Sequence, residues 1–200
     1  FVASANCALY CGASVDFIDI DSETYNMSIP ALEEKLISAQ KNGQLPKVLI
    51  PVHLCGQSCD MKTISELGNK YGFKIIEDAS HGIGGKDEDD YIGSCKYSDI
   101  TVFSFHPVKI ITSAEGGMCL TNDSGLASKI QLLRTHGITR AENEMQEPSE
   151  GAWYYEQVDL GFNYRMTEMQ GALGLSQLDK LNQFVLTRND IAQKYISDFS

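Results

Sequence analysis

Apolar strand-like stretches alternate with amphipathic helix-like ones along most of this sequence, and that alternation leaves few folds open. Ser4 to Tyr10 reads as a helix closed by Gly12, and Ser14 to Ile20 as a strand. Ser28 is placed to cap a helix with Ile29, Leu32, Leu36 and Ile37 on one face, ending at Gly43. Lys47 to Val52 is a buried strand. Asp60 starts a helix with Ile64, Leu67 and Tyr71 inward, ended by Gly72. Strands follow at Phe73 to Glu77, Asp99 to Phe105 and Gly117 to Thr121, and Asp123 caps a helix reaching about His136. Strands joined through helices imply an α/β architecture, a mostly parallel sheet between helices. Ligands of such sheets bind outside the carboxyl ends of the strands.

Asp78, His81, Ser104 and Lys109 all lie just past such ends. One strand runs into Ile75-Ile76-Glu77-Asp78-Ala79-Ser80-His81, and a later one into Ser104-Phe105-His106-Pro107-Val108-Lys109. A carboxylate at one strand end and a lysine past the next are what pyridoxal phosphate chemistry requires. The lysine amine forms a Schiff base with the cofactor aldehyde, and the carboxylate keeps the pyridine nitrogen protonated, so the ring can draw in electrons. Each residue also has a plainer reading: Asp78 as a helix cap, His81 and Ser104 as turn formers. His53 and His106 are read as structural. Arg165 suits either a diphosphate or a surface ion pair.

Composition narrows the function classes. Two hundred residues suit one α/β domain, or one domain with part of another. The sequence opens Phe1-Val2-Ala3, with no initiator Met and no signal-peptide pattern, and is read as starting and ending inside a longer protein. No apolar run approaches the roughly 20 residues of a membrane span. A net charge of −11, with acidic runs at Asp87-Glu88-Asp89-Asp90 and from Glu142 to Glu156, argues against nucleic acid as a partner. A small anion remains compatible, because Lys109, Arg134, Arg140 and Arg165 fall in one third of the chain. The scatter of Cys7, Cys11, Cys55, Cys59, Cys95 and Cys119 points to reduced thiols and a cytoplasmic setting. His53, Cys55 and Cys59 raise zinc, but their spacing is loose and no second cysteine pair accompanies them, so no metal is expected.

Between Gly137 and Asp159 the sequence is polar and irregular, with Trp153, Tyr154 and Tyr155. Such a loop suits ligand binding, or packing against another domain. Thr167 and Gln170 then form a capping-box pattern opening a helical stretch with Leu173, Leu178, Leu181 and Val185. Residues 1–165 are accordingly read as the cofactor-binding domain, lacking its N-terminal part, and 166–200 as helices leading toward a smaller domain not in this sequence.

Five segments together resemble the DegT/StrS sugar-nucleotide aminotransferases, fold-type I pyridoxal phosphate enzymes. They are Pro51-Val52-His53-Leu54-Cys55-Gly56, Glu77-Asp78-Ala79-Ser80-His81, the run Ser104 to Lys109, Ala114-Glu115-Gly116-Gly117 and Gly161-Phe162-Asn163-Tyr164-Arg165. The resemblance implies the large domain of an aspartate aminotransferase-like fold. It makes Lys109 the Schiff-base lysine and acid/base, Asp78 the partner of the pyridinium nitrogen, and His81 a neighbour of the ring's phenolic oxygen. Ser104 would bind the phosphate, Phe1 would stack on the ring, and Asn163 would reach the phosphate of a neighbouring subunit in a homodimer. His136-Gly137-Ile138-Thr139-Arg140 and Trp153-Tyr154-Tyr155-Glu156 resemble the branch acting in pseudaminic acid synthesis. That branch aminates the 4-keto group of a UDP-linked N-acetylated dideoxy sugar, with glutamate as donor. Alternatives are an aminotransferase for another nucleotide keto sugar, or a non-catalytic α/β nucleotide-binding fragment. Against the latter, Gly82-Ile83-Gly84-Gly85 lacks the dinucleotide glycine pattern. A related dehydratase would resemble this pattern with His in place of Lys109.

Overall fold

The computed structural model describes residues 1–199. Four of its helices start where the sequence supplies a side-chain acceptor. After α1 (Ala3–Tyr10), α2 (Ile29–Lys41) begins at Ser28, whose hydroxyl accepts the Ala31 N–H at 3.3 Å, with Pro30 in its first turn. Past the short strand β1 (Val48–Leu49), α3 (Met61–Tyr71) is capped by Asp60, which accepts the Thr63 N–H at 3.0 Å. It stops at Gly72, at φ +80°, a left-handed conformation that costs glycine nothing.

The sheet is assembled from strands far apart in sequence. Strand β2 (Lys74–Asp78) pairs in parallel with β1, and a two-residue ladder joins β3 (Lys86–Asp87) to β4 (Asp90–Tyr91). Strand β5 (Ile100–Ser104) lies parallel to β2, and β6 (Gly117–Leu120) runs antiparallel to β5. The order is β1-β2-β5-β6, so all but the last pairing are parallel. Helix α4 (Ser124–Leu133) is capped by Asp123. The ladder of β7 (Ile138–Thr139) with β8 (Glu156–Gln157) closes the aromatic loop. Then come α5 (Glu168–Leu178), with the Thr167–Gln170 capping box complete, and α6 (Leu181–Phe199). Ser200, the last residue of the expected connecting segment, lies outside the described residues.

Two apolar clusters hold these pieces. Leu32 and Leu36 of α2 and Ile64, Leu67 and Tyr71 of α3 pack on Leu49, Phe73 and Ile75. Ala79, Ile92, Phe103, Phe105 and Ile111 form the second cluster, joined by Leu181 and Phe184 of α6. On β2 burial alternates, with Ile75 and Glu77 inside and Ile76 and Asp78 half-buried on the opposite face.

Three expectations need correction. Ser14 to Ile20 is not a strand: only Ile20 makes a bridge, to Met27, and Phe17 is 71% exposed. Its alternating pattern finds no neighbouring strand among the described residues, although Ile18 packs on the first cluster. The strand expected over Lys47 to Val52 keeps only β1 and a bridge from Val52 to Asp78, because Pro51 interrupts the ladder. Helix α4 ends at Leu133 rather than near His136, where the chain turns through a positive φ. All six cysteines are free, and no helix among the described residues is long and apolar enough to cross a membrane.

Candidate active site

The site begins with the pleat of β2, which sends two consecutive carboxylates to opposite faces. Glu77 points into the protein, where its carboxylate meets His53 Nε2 at 2.7 Å and accepts from Thr101 Oγ1 at 2.9 Å and from Ser98 Oγ. Asp78 faces the other way, at the carboxyl end of the strand. Its Oδ2 accepts from Ser4 Oγ of α1 at 2.5 Å, and its Oδ1 accepts from Ser80 Oγ at 2.6 Å and Ser80 N–H at 3.1 Å. Burial pushes the Asp78 carboxyl up, but these donors outweigh it and hold the group below the usual carboxylate range. Asp78 is therefore an ionised acceptor at neutral pH.

His81 lies three residues on. Burial, and then the nearby charge of Lys109, hold its imidazole below the ordinary histidine range. The Cys55 N–H donates to its Nδ1 at 3.3 Å. Lys109 is half-buried in the turn after β5, with its N–H bonded to the His106 carbonyl at 3.0 Å. Among the described residues its ammonium has no ion-pair or hydrogen-bond partner. Ser104 ends β5 on the Asp78 face, since Asp78 is in register with Val102 and Ser104 is two residues further. Its Oγ accepts from His106 N–H at 3.4 Å, which leaves its own hydrogen to give.

The structure thus brings Asp78, His81, Ser104 and Lys109 to one edge of the sheet. Phe1 is fully exposed, next to the helix whose Ser4 holds Asp78. Asn163 is also exposed, bridged through its backbone to Thr135, and shares no hydrogen bond with the other four. Arg165 makes no ion pair among the described residues, His106 sits 3.8 Å from Glu115, and His53 is fully buried. Sequence reasoning missed Ser4, Ser80 and the partners of Glu77. Ser80 was within reach, since a serine two residues after an aspartate is a common Asx-turn partner. Ser4 lies 74 residues from Asp78, and nothing local signals that contact.

A lysine amine without an ion-pair partner and an ionised carboxylate at the same open end of a mostly parallel sheet suit an aldehyde cofactor with a basic ring nitrogen. The chain belongs to the DegT/DnrJ/EryC1/StrS aminotransferase family, whose model matches residues 1–200. Over 199 residues it is 39% identical to a UDP-4-amino-4,6-dideoxy-N-acetyl-beta-L-altrosamine transaminase of Campylobacter jejuni, covering all of this chain and 49% of that protein. It is 38% identical over 195 residues to the GDP-perosamine synthase of Caulobacter vibrioides, covering 98% of this chain and 47% of the synthase. Among solved structures, Helicobacter pylori PseC, an aminotransferase involved in the biosynthesis of pseudoaminic acid, superposes with a TM-score of 0.79 at 34% identity, over 91% of this chain and 44% of PseC. The PLP form of a Streptococcus pneumoniae sugar aminotransferase superposes at 0.82 with 28% identity, over 100% of this chain and 51% of that one. The chain spans about half the length of the relatives it matches.

Pyridoxal 5′-phosphate is the cofactor of this family, and the residues present fit it. Asp78 offers an ionised acceptor for a ring N–H, Lys109 an amine for an aldehyde, and Ser104 a hydroxyl for a phosphate.

Proposed function

We propose that the protein is a pyridoxal phosphate-dependent aminotransferase that replaces the 4-keto group of a UDP-linked dideoxy N-acetyl sugar with an amine, with glutamate as donor. The observation that supports it most is that ionised Asp78 and Lys109 both act on His81 at one end of the sheet, in a chain of this family. The likeness to the Campylobacter jejuni transaminase and to PseC favours the UDP sugar and a place in pseudaminic acid synthesis.

When bound, the cofactor supplies a conjugated ring that stabilises negative charge on the carbon losing its proton. The chain's own residues do the rest. Asp78 keeps a proton on the ring nitrogen, because its carboxylate is already stabilised as the anion. Lys109 would hold the cofactor through its amine, and that amine, when free, would carry a proton to and from the reacting carbon. His81 gives a hydrogen bond beside the ring, Ser104 gives one to the phosphate, and Phe1 supplies an aromatic face. Asn163 donates to the phosphate in the other subunit of a homodimer, which makes two composite sites. The enzyme acts in the cytoplasm, where nucleotide sugars and glutamate are both at hand.

Borohydride reduction of the cofactor-loaded full-length protein, followed by peptide mass spectrometry, places the adduct on Lys109. An adduct on Lys86 or Lys96, or no adduct, overturns the assignment. The GDP-perosamine synthase relative supports a second reading, in which the nucleotide is GDP. Supplying UDP- and GDP-linked 4-keto sugars in parallel, with glutamate, separates the two by which amino sugar forms.

A further inference from the structure

We infer that Asn26 is a positioning residue, which acts through the turn Leu54–Ser58 to fix which ring nitrogen of His81 carries the proton. The inference rests on the reading of His81 as a group that faces the cofactor.

Asn26 is 5% exposed, and its whole amide is committed to that one turn. Its Nδ2 donates to the carbonyls of Gln57 at 3.1 Å and Ser58 at 3.0 Å, and its Oδ1 accepts from the Leu54 N–H at 3.2 Å. A buried amide joined three times to one backbone bend is a clamp, since losing it leaves three peptide groups short of a partner. The turn is anchored at its start by buried His53, whose Nε2 meets Glu77 and whose Nδ1 accepts the Cys59 N–H at 3.2 Å.

Between these anchors the backbone bends through two successive left-handed residues, Cys55 at φ +55° and Gly56 at φ +89°. The bend aims the Cys55 N–H at His81 Nδ1, 3.3 Å away. It also presses Gly56 so close that a Cβ there would lie 2.7 Å from the His81 carbonyl oxygen. The turn therefore touches His81 at both ring and backbone.

A neutral imidazole has one N–H and one lone pair. A peptide N–H aimed at Nδ1 requires the lone pair there, so the proton sits on Nε2. That nitrogen is then a fixed donor toward an acceptor such as the cofactor's phenolic oxygen. The charged groups acting on His81 are Lys109, Asp78 and the amino group of Phe1; burial and then Lys109 are the largest causes holding its pKa below the ordinary histidine value. Among the described residues no other hydrogen bond reaches either ring nitrogen.

Long-range proton–nitrogen NMR on full-length protein labelled with 15N-histidine reads the tautomer directly, with no cofactor or substrate present. The sequence has 4 histidines, and loss of one signal in His81→Gln assigns the resonance. At a pH where the ring is neutral, His81 should be a single Nε2–H tautomer. Asn26→Ala should convert it to a mixture, and so should Gly56→Ala, which disturbs the turn from the opposite side. Where Asn26→Ala does not fold, Gly56→Ala, which leaves the Asn26 amide in place, carries the test. An Nδ1–H tautomer in the wild type overturns the inference at once. Retention of the single Nε2–H form in folded Asn26 and Gly56 variants overturns it as well. Neither result bears on the adduct at Lys109, so the two readings fail separately.

Discussion

Two hydroxyls and a peptide N–H converge on Asp78, and at the scale of single residues that is where structure becomes chemistry. The donors stabilise an anion that burial alone would disfavour. Asp78→Asn keeps the shape and discards the charge, so turnover should fall by about 10⁴, the magnitude lost when a comparable carboxylate in another enzyme becomes an amide. Steady-state kinetics beside a melting curve check this; near-normal turnover would leave Asp78 as a plain cap. Lys109 makes the complementary case. It gives up no ion pair when truncated, so Lys109→Ala should change stability by less than about 0.5 kcal/mol in a denaturant titration while abolishing covalent cofactor capture.

At the scale of elements, β2 is held by a polar contact as well as an apolar one. Glu77 is 5% exposed and joined to three residues, His53 from one segment, Ser98 just before β5 and Thr101 within it. Burial opposes its charge, but hydrogen bonds from His53, Ser98 and Thr101 outweigh that and hold its pKa below the ordinary value. A carboxyl with a lower pKa folded than unfolded stabilises the fold above its unfolded pKa, and loses that contribution as pH falls through the folded one. Acid titration of the fold should therefore flatten in Glu77→Gln relative to wild type. Glu77→Ala should cost about 3 kcal/mol at neutral pH, because His53 is left buried without its partner. The helix starts were legible in the sequence because caps are local: Ser28, Asp60, Asp123 and Thr167 each act within three residues. The environment of Glu77 was not legible, because its partners come from positions 53, 98 and 101. The missing strand at Ser14 to Ile20 failed for the same reason, since a strand exists only beside another.

At the scale of the whole molecule, α5 and α6 leave much apolar surface uncovered, including Met169, Leu175, Leu186, Tyr195 and Phe199. Surfaces of that extent are uncommon on a free monomer. The grouping at one end of the sheet was readable from one sequence because Asp78 and Ser104 close strands of the same sheet and His81 and Lys109 follow those ends. The expected reach of Asn163 rested on the family resemblance alone, because a single chain carries no record of what faces it across a two-fold axis. Under the proposed function, mixing full-length Lys109→Ala and Asn163→Ala chains should yield dimers in which one of the two sites regains both residues. Activity above that of either parent is the expected outcome. Mixed dimers that recover nothing, with both parents impaired, would return Asn163 to a turn residue.

Glu77 and Asp78 are neighbours in the chain and opposites in the sheet, and that gives β2 a parity. Slipping its register by one residue in one direction would present Asp78 to the buried His53 and leave Ala79 in the place of Asp78, and slipping it the other way would carry Glu77 to the open end of the sheet and set Ile76 against His53. Side-chain swaps along the strand are graded injuries. An insertion or deletion of a single residue there is an inversion, which exchanges inside and outside for every position at once. Length changes between Gly72 and Asp78 should therefore be tolerated far less well than substitutions at the same positions, and a library scored for folding would show this stretch as closed to single-residue indels.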